Sequence, residues 1–533
     1  MTVEGKKCKL KKLYCQIIQA TLLVAGILLI LLGITMVFLT PNIINGKIHQ
    51  RKNIAQGSEL YHFWRNPDYN FTSEIFLYSV NNPQQVLNGN KPEVVEIGPY
   101  AYKVSLGKNV VGFGDGSVKY QNVHNFTFDI NASCTECSLS REIWIPNIVF
   151  QKFVEIASNP ITSIAQVALA SQRPFLKVPA QDVLLNGYED PYLANICSIP
   201  LMDTLCKSVL KVPKKISFLI NRSGAQKVIE ISTGSSDGSI AAGEVLSWDG
   251  LKSLPEHWWN SKQARAINGT DGEFYKPFIK KTDTIYVFAP DLCRSIHLTF
   301  EKEIEYKDIS AYRFTVKEDL LDPTAPGNEG FCGNDGKRFF SEYEKCLPKG
   351  LLDLSRCHDG APPILFSFPN FLYADKRVKE SVIGLNESSV QHDGIIIEIE
   401  PKTGTLLRSY IRSQINVAMW KGRGITYGAN LSRMRNTITP LYAEYQMVEI
   451  GDNSLALLRR MLQMIKVALV LLCFIPIIVG ILLITTALFI KLLLKTKVND
   501  KVMEETSNRM TAQVRPLPNN VKSATFRSDN SWT

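Results

Sequence analysis

The stretch IIQATLLVAGILLILLGITMVFL runs from Ile17 to Leu39, 23 residues without one charged side chain. At about 1.5 Å per residue a helix of this length crosses a hydrocarbon layer of about 30 Å, whereas a cleaved signal peptide has only about 7 to 15 apolar residues before a small-x-small exit. The exit here is FLTPN, which predicts an uncleaved signal anchor. At the other end VALVLLCFIPIIVGILLITTALFI, from Val467 to Ile490, is a second uncharged run of 24 residues, fenced by Lys466 and Lys491. A core helix of such length would keep a polar face, and neither run has one. Two transmembrane helices at the ends of a long intervening body are therefore expected.

The charge distribution supports that division. The formal net charge of +10 over 533 residues is concentrated at the ends: residues 1–16 carry +4, residues 491–533 carry +4, and the 474 residues between them carry only +2. A nucleic-acid reader would place its positive charge on the folded domain, so that class is excluded. Lys/Arg-rich flanks face the cytosol, which puts both termini there. The expected organisation is a cytosolic N-terminus at 1–16, a first span at 17–39, an extracellular or lumenal ectodomain at 40–466, a second span at 467–490 and a cytosolic tail at 491–533. With 45% hydrophobic and 21% charged residues, that ectodomain can bury a large core.

Two features of the body agree with an oxidising compartment. All seven N-glycosylation sequons, at Asn70, Asn125, Asn131, Asn221, Asn268, Asn386 and Asn430, fall between the spans. Eight of the eleven cysteines fall there too: Cys134, Cys137, Cys197, Cys206, Cys293, Cys332, Cys346 and Cys357. Of the remaining three, Cys473 lies within the second span. Cys8 and Cys15 lie in the basic N-terminal end, as candidates for S-palmitoylation or as ordinary reduced thiols.

No Pro/Ser-rich linker and no internal repeat divides the body, so one large domain is expected. Its clearest segment is GIIIEIEPKTGTLLRSYIRSQINVAMW, Gly394 to Trp420. Pro401-Lys-Thr-Gly404 reads as the turn of an antiparallel hairpin. Beyond it Leu407, Ser409, Ile411, Ser413, Ile415 and Val417 share one face and Arg408, Tyr410, Arg412, Gln414 and Asn416 the other, which makes the whole a half-buried antiparallel hairpin. By contrast, Asn147 to Leu185 favours helix, broken at Pro160, Pro174 and Pro179. Its Ile148, Phe150, Phe153, Ile164, Val167, Ala168 and Leu169 suit an apolar helical hairpin.

Catalytic patterns are weak. The seven histidines form no i,i+4 pair and no HExxH, so neither a metal site nor a cofactor is expected. Gly234-Ser-Ser236-Asp-Gly238 satisfies G-x-S-x-G but runs into a Gly-rich segment rather than a helix, so a polar turn is expected in place of a nucleophile elbow. Cys134-Thr-Glu-Cys137 is a C-x-x-C without a βαβ setting, consistent with a local disulfide or two separate ones.

Six strings in order then carry a resemblance: IGPYAYKV (Ile97–Val104), NGYEDPYL (Asn186–Leu193), INGTDG (Ile267–Gly272), DLCRSI (Asp291–Ile296), SFPNFLYAD (Ser367–Asp375) and IEPKTGTLL (Ile399–Leu407). Together they resemble the class B scavenger receptors, the family of platelet glycoprotein IV, the high-density lipoprotein receptor and lysosomal integral membrane protein. The resemblance implies an α+β ectodomain with an antiparallel β-barrel core, an apical helical bundle that meets ligands, and a hydrophobic tunnel. It also implies bridges Cys293–Cys357 and Cys332–Cys346. A third family bridge would use positions occupied here by Ala264 and Gly330, both lost together, with Cys197 and Cys206 as a replacement pair. Asn370 stands where the family usually has His.

On this basis the chain is expected to be a non-enzymatic lipid receptor. Fatty acids, sterols, phospholipids or lipoprotein particles are the implied partners, along with extracellular protein ligands. Ile148, Phe150, Phe153, Arg173 and Lys177 are the candidate apical contacts. A two-span ligand-gated channel and an adhesion or phagocytic receptor are the alternatives. A channel would need a polar pore stripe, and only Thr485, Thr486 and Cys473 interrupt the second run. The tail Lys491–Thr533 lacks the acidic di-leucine ending of lysosomal relatives, which favours the plasma membrane over an endolysosomal one.

Overall fold

The computed structural model describes residues 3–51, 53–54, 56–170, 172–207, 215–220, 222–234, 241–333, 344–357, 362–425 and 431–512. The chain divides into two compact units, one formed by the terminal segments Met1–Gly46 and Arg460–Thr533 and the other by Lys47–Arg459.

In the terminal unit the two apolar runs are helical. The first lies within a 49-residue helix, Val3–Arg51, that continues through Pro41. The second lies within Asp452–Ala512, helical throughout apart from one π turn at Val470–Phe474. The helices meet where side chains are smallest. A Cβ on Gly26 would stand 2.8 Å from the carbonyl oxygen of Gly480, and one on Gly480 would stand 2.7 Å from that of Gly26. In lipid, where no hydrophobic effect drives helices together, such close backbone approach supplies the packing.

Among the described residues the body has sixteen strands. These are β1 (Tyr69–Val80), β2 (Val94–Gly114), β3 (Ser117–Phe128), β4 (Glu142–Pro146), β5 (Phe175–Pro179), β6 (Gly224–Ala225), β7 (Ile229–Ser232) and β8 (Val245–Trp248). The C-terminal half adds β9 (Ile285–Ala289), β10 (Arg294–Tyr306), β11 (Ile309–Thr315), β12 (Leu352–Asp353), β13 (Ile364–Ser367), β14 (Ile396–Glu400), β15 (Thr405–Met419) and β16 (Thr437–Ile450). Eleven follow one path, β8-β7-β3-β2-β1-β16-β15-β14-β11-β10-β9, with β6, β12 and β13 attached to it; β4 and β5 form a separate ribbon.

The ends of that path are joined through the INGTDG string. Val245 of β8 donates its N–H to the Gly269 carbonyl at 2.9 Å, Thr270 donates to Tyr286 of β9 at 3.1 Å, and Phe288 donates back to Thr270 at 2.9 Å. Gly269 sits at φ +88°, and a Cβ there would run into the Tyr286 carbonyl, so only glycine fits this close approach. The segment nearly closes the sheet into a barrel and covers the short edges of β8 and β9.

The predicted hairpin is β14 and β15, with Gly404 in the left-handed conformation of its turn. Its first strand differs from the half-buried expectation, because all five residues of β14 are buried. Glu398 points away from the apolar core yet is fully covered, held by Arg313 at 2.6 Å and Arg408 at 2.7 Å. Among the described residues of the other segment, only Ile148–Ala157 and Gln166–Leu169 are α-helix, with a 3₁₀ stretch at Pro160–Ala165 between them. Residues Phe175–Pro179 leave the expected helix to pair with β4, since Pro174 and Pro179 each deny a helix a backbone donor.

Candidate functional site

One face of β1, β2, β3, β15 and β16 forms the site. Register places Phe71 beside Val104 and Val448, Ser73 beside Tyr102 and Gln446, and Ile75 beside Tyr100 and Glu444. The row continues to Ile411 and Ser413 on β15 and to His124, Phe126 and Phe128 on β3. The reverse face carries exposed Glu74, Lys103 and Asn125, so the aromatic face is the inner one. It is not packed shut. Phe71, Leu106, Phe126, Phe128 and Val448 are each half-buried, and Ile411 is 40% exposed.

Among the described residues two ion pairs stand on this apolar surface: Arg222 with Glu444, and Lys108, next on the inward row of β2, with Glu273 at 2.5 Å. Arg222 donates from Nη1 to Glu444 Oε2 at 2.6 Å, while Ser73 and Gln446 donate to Oε1 at 2.7 and 2.9 Å. Burial alone would push the Glu444 carboxyl up, but the Arg222 charge and these hydrogen bonds hold it below the ordinary carboxylate value. The Arg222 guanidinium also lies 5.8 Å from the Phe126 ring centroid, and Phe218 packs on Tyr442 with centroids 3.6 Å apart. His124, 6.4 Å from Phe71, is pushed down to about 4 by burial and then by Arg222. The site is therefore an aromatic wall with neutralised polar knots at Arg222–Glu444 and Lys108–Glu273, suited to holding an apolar chain with a polar end.

The sequence-derived candidates fall elsewhere. Ile148, Phe150 and Phe153 belong to the core cluster that also contains Ile75 and Tyr102, and all three are buried. Arg173 and Lys177 are exposed, with Lys177 ion-paired to Glu142. Asn147 caps the helix and ties it down: Oδ1 accepts from the Phe150 N–H at 3.1 Å, and Nδ2 donates to Asp190 at 2.8 Å. The apolar trio is thus buried and the polar pair exposed. Sequence reasoning missed Arg222 and Glu444, although a glutamate in the middle of the apolar strand TITPLYAEYQMVEI was a signal.

Among the described residues there are four disulfides: Cys134–Cys137, Cys197–Cys206, Cys293–Cys357 and Cys332–Cys346. Asn70, Asn125, Asn131, Asn268 and Asn386 are exposed, whereas Asn221 and Asn430 lie outside the described residues, as do Ser236 and Gly238. Cys15 is half-buried; nothing is described of the Cys8 side chain. Among the described residues no group of three His, Cys, Asp or Glu side chains is placed to hold a metal ion.

Comparison with known proteins gives the family directly, with a match to the CD36 family over residues 24–491. The chain belongs to the CD36 family. Lysosome membrane protein 2 of Mus musculus is 27% identical over 416 residues, covering 74% of this chain and 80% of that protein. The Rattus norvegicus form is 29% identical over 408 residues, covering 74% and 80%. Scavenger receptor class B member 1 of Mus musculus is 27% identical over 439 residues, covering 81% of each. With two helices long and apolar enough to span a bilayer, this CD36-family chain is a membrane protein. Its departure from the resemblance is spatially coherent, because a Cβ on Gly330 would stand 2.7 Å from that of Ala264. The two positions without cysteine are neighbours in the fold.

Proposed function

We propose that this protein is a cell-surface lipid receptor that takes an acyl chain or sterol, free or from a lipoprotein particle, and passes it to the bilayer along the inner face of the sheet. The half-exposed Phe71, Phe126, Val448 and Ile411 on an inward face carry the reading. Each methylene that such a wall shields from water is worth about 0.8 kcal/mol, enough to hold a long chain without any charged partner. Arg222 and Glu444 would meet the polar end. Family relatives named as a scavenger receptor and a lysosomal membrane protein support a receptor rather than an enzyme.

The test is a plug. Ile411→Trp fills the inner face at its most open position, so surface-expressed variant protein should lose uptake of a fluorescent long-chain fatty acid and of a cholesteryl ester while keeping its thermal stability. Wild-type uptake by a correctly folded Ile411→Trp variant would reject the passage.

A further inference from the structure

On the reverse face of the sheet, a separate cavity of about 400 Å³ is lined by Phe76, Glu96, Asn370, Asn386, His392 and Tyr445, among others. Its floor is a built polar network. Asp393, fully buried, accepts at Oδ1 from Tyr445 Oη at 2.9 Å and from Asn370 Nδ2 at 3.2 Å, with His392 Nδ1 3.1 Å away; Ser389 N–H donates to Oδ2 at 2.8 Å. Because the Asn370 amide must give its NH₂ to this carboxylate, its Oδ1 is fixed as an acceptor. That oxygen has no partner, in a side chain of a residue only 5% exposed. Buried polar groups are nearly always satisfied, so the network is one donor short.

The walls say what kind of donor fits. Phe76 and Tyr445 meet edge to face at 5.1 Å, and His392 lies 5.3 Å from Tyr445, giving an aromatic surface. Glu96 supplies an acceptor whose pKa burial raises, and no Lys or Arg lines the cavity to receive a phosphate or carboxylate. Aromatic faces with acceptors and an orphan amide oxygen suit a pyranose, which offers C–H faces, hydroxyls and an acetamido N–H. A source of such a ring stands at the rim. Asn386 opens the sequon Asn386-Glu387-Ser388, and its Nδ2 lies 3.4 Å from Glu96 Oε1, reaching over the cavity.

We propose that this cavity is the seat of the first N-acetylhexosamine of a glycan on Asn386, which makes that glycan part of the folded ectodomain rather than a solvated appendage. Attachment joins Nδ2 to C1 of the sugar. The lipid diphosphate of the glycosyl donor leaves with the electrons of the C1–O bond, and one Nδ2 proton passes to a base. The remaining Nδ2–H still faces Glu96.

The full-length protein expressed in secretory cells is treated, undenatured, with peptide N-glycanase, and release is followed site by site by glycopeptide mass spectrometry. Release from Asn386 should be about tenfold slower than from Asn70, Asn125, Asn131 and Asn268, equivalent to about 1.4 kcal/mol of seating. Tyr445→Ala should abolish that protection. Should Tyr445→Ala not fold, His392→Ala, whose side chain is mostly exposed, removes part of the same wall. An unoccupied Asn386 beside four occupied sites overturns the proposal, as does release at the common rate. Absence of glycan from every site would instead overturn the lumenal topology on which the receptor reading stands.

Discussion

The helix Ile148–Ala157 and the inner face of β1, β3, β15 and β16 are both rich in large apolar side chains, yet they are finished differently. Nine of the helix's ten residues are buried, even the polar Gln151 and Lys152, so the fold covers it on almost every side. On the sheet, Phe71, Phe126, Phe128 and Val448 are only partly covered and Ile411 is 40% exposed. A strand face turned into a body and left unfilled forgoes the dispersion and burial energy that the helix collects. On the proposed reading the difference separates a supporting core from a working surface, and the lipid contacts would belong to the sheet rather than to Phe150 and Phe153.

The strongest test of that separation is to truncate one residue in each region. Phe153→Ala leaves a void in a closed core and should cost about 3–5 kcal/mol, seen as a large fall in Tm and in surface expression. Ile411→Ala removes a side chain with fewer neighbours to lose, and should cost less than about 1.5 kcal/mol while altering which lipid is taken up. Equal losses of stability would show that the inner face is ordinary core.

The Arg222–Glu444 pair gives a second, smaller contrast. Glu444→Leu leaves the guanidinium facing aromatic rings with only the more distant, exposed Asp291 at 4.0 Å as counter-charge, and the cost should be at most about 3–5 kcal/mol, reduced by Asp291 and by the part of Arg222 that water still reaches. Adding Arg222→Met should recover most of that stability, because a matched apolar replacement removes the desolvation cost of both charges. Lipid transfer should stay impaired in the double variant if the pair meets the polar end of the cargo. Recovery of both stability and transfer would make the pair purely structural.

What was legible in the sequence follows a physical rule: features carried by contiguous residues were readable, and features assembled across the chain were not. The two spans needed only uninterrupted apolarity. The β14–β15 hairpin needed only alternation and Pro401…Gly404. The strand Phe175–Pro179 was misread as helix because its partner β4 lies 33 residues upstream by register, Pro146 facing Phe175 at the near end and Glu142 facing Pro179 at the far end. Arg222 and Glu444 are 222 residues apart, so neither announces the other. INGTDG was recognisable as a family string, but that Thr270 bridges β8 to β9 depends on strands distant from it. Glu398 was assigned to a half-buried strand because alternation cannot foresee two arginines closing over a carboxylate.

The smallest expected effect concerns acid, and it again divides the two regions, since the helix Ile148–Ala157 carries no histidine. His124 on the inner face is held near 4 by burial, with Arg222 and Lys108 lowering it and Asp291 and Glu444 opposing them. In the unfolded chain the same ring titrates near about 6.5. Between those values the unfolded state binds the extra proton, so stability is complete above about pH 6.5 and falls as the pH drops toward 4. Glu444, whose folded value is depressed, acts in the same direction but lower, losing its contribution as pH falls through the carboxylate range. His124→Gln should therefore flatten the fall in Tm between about pH 6.5 and 5 while leaving the steeper loss below it, measured on full-length protein in detergent. An unchanged profile in His124→Gln would mean that the ring titrates in the folded protein as it does in the unfolded chain, and the inner face would then be wetter there than its aromatic lining implies.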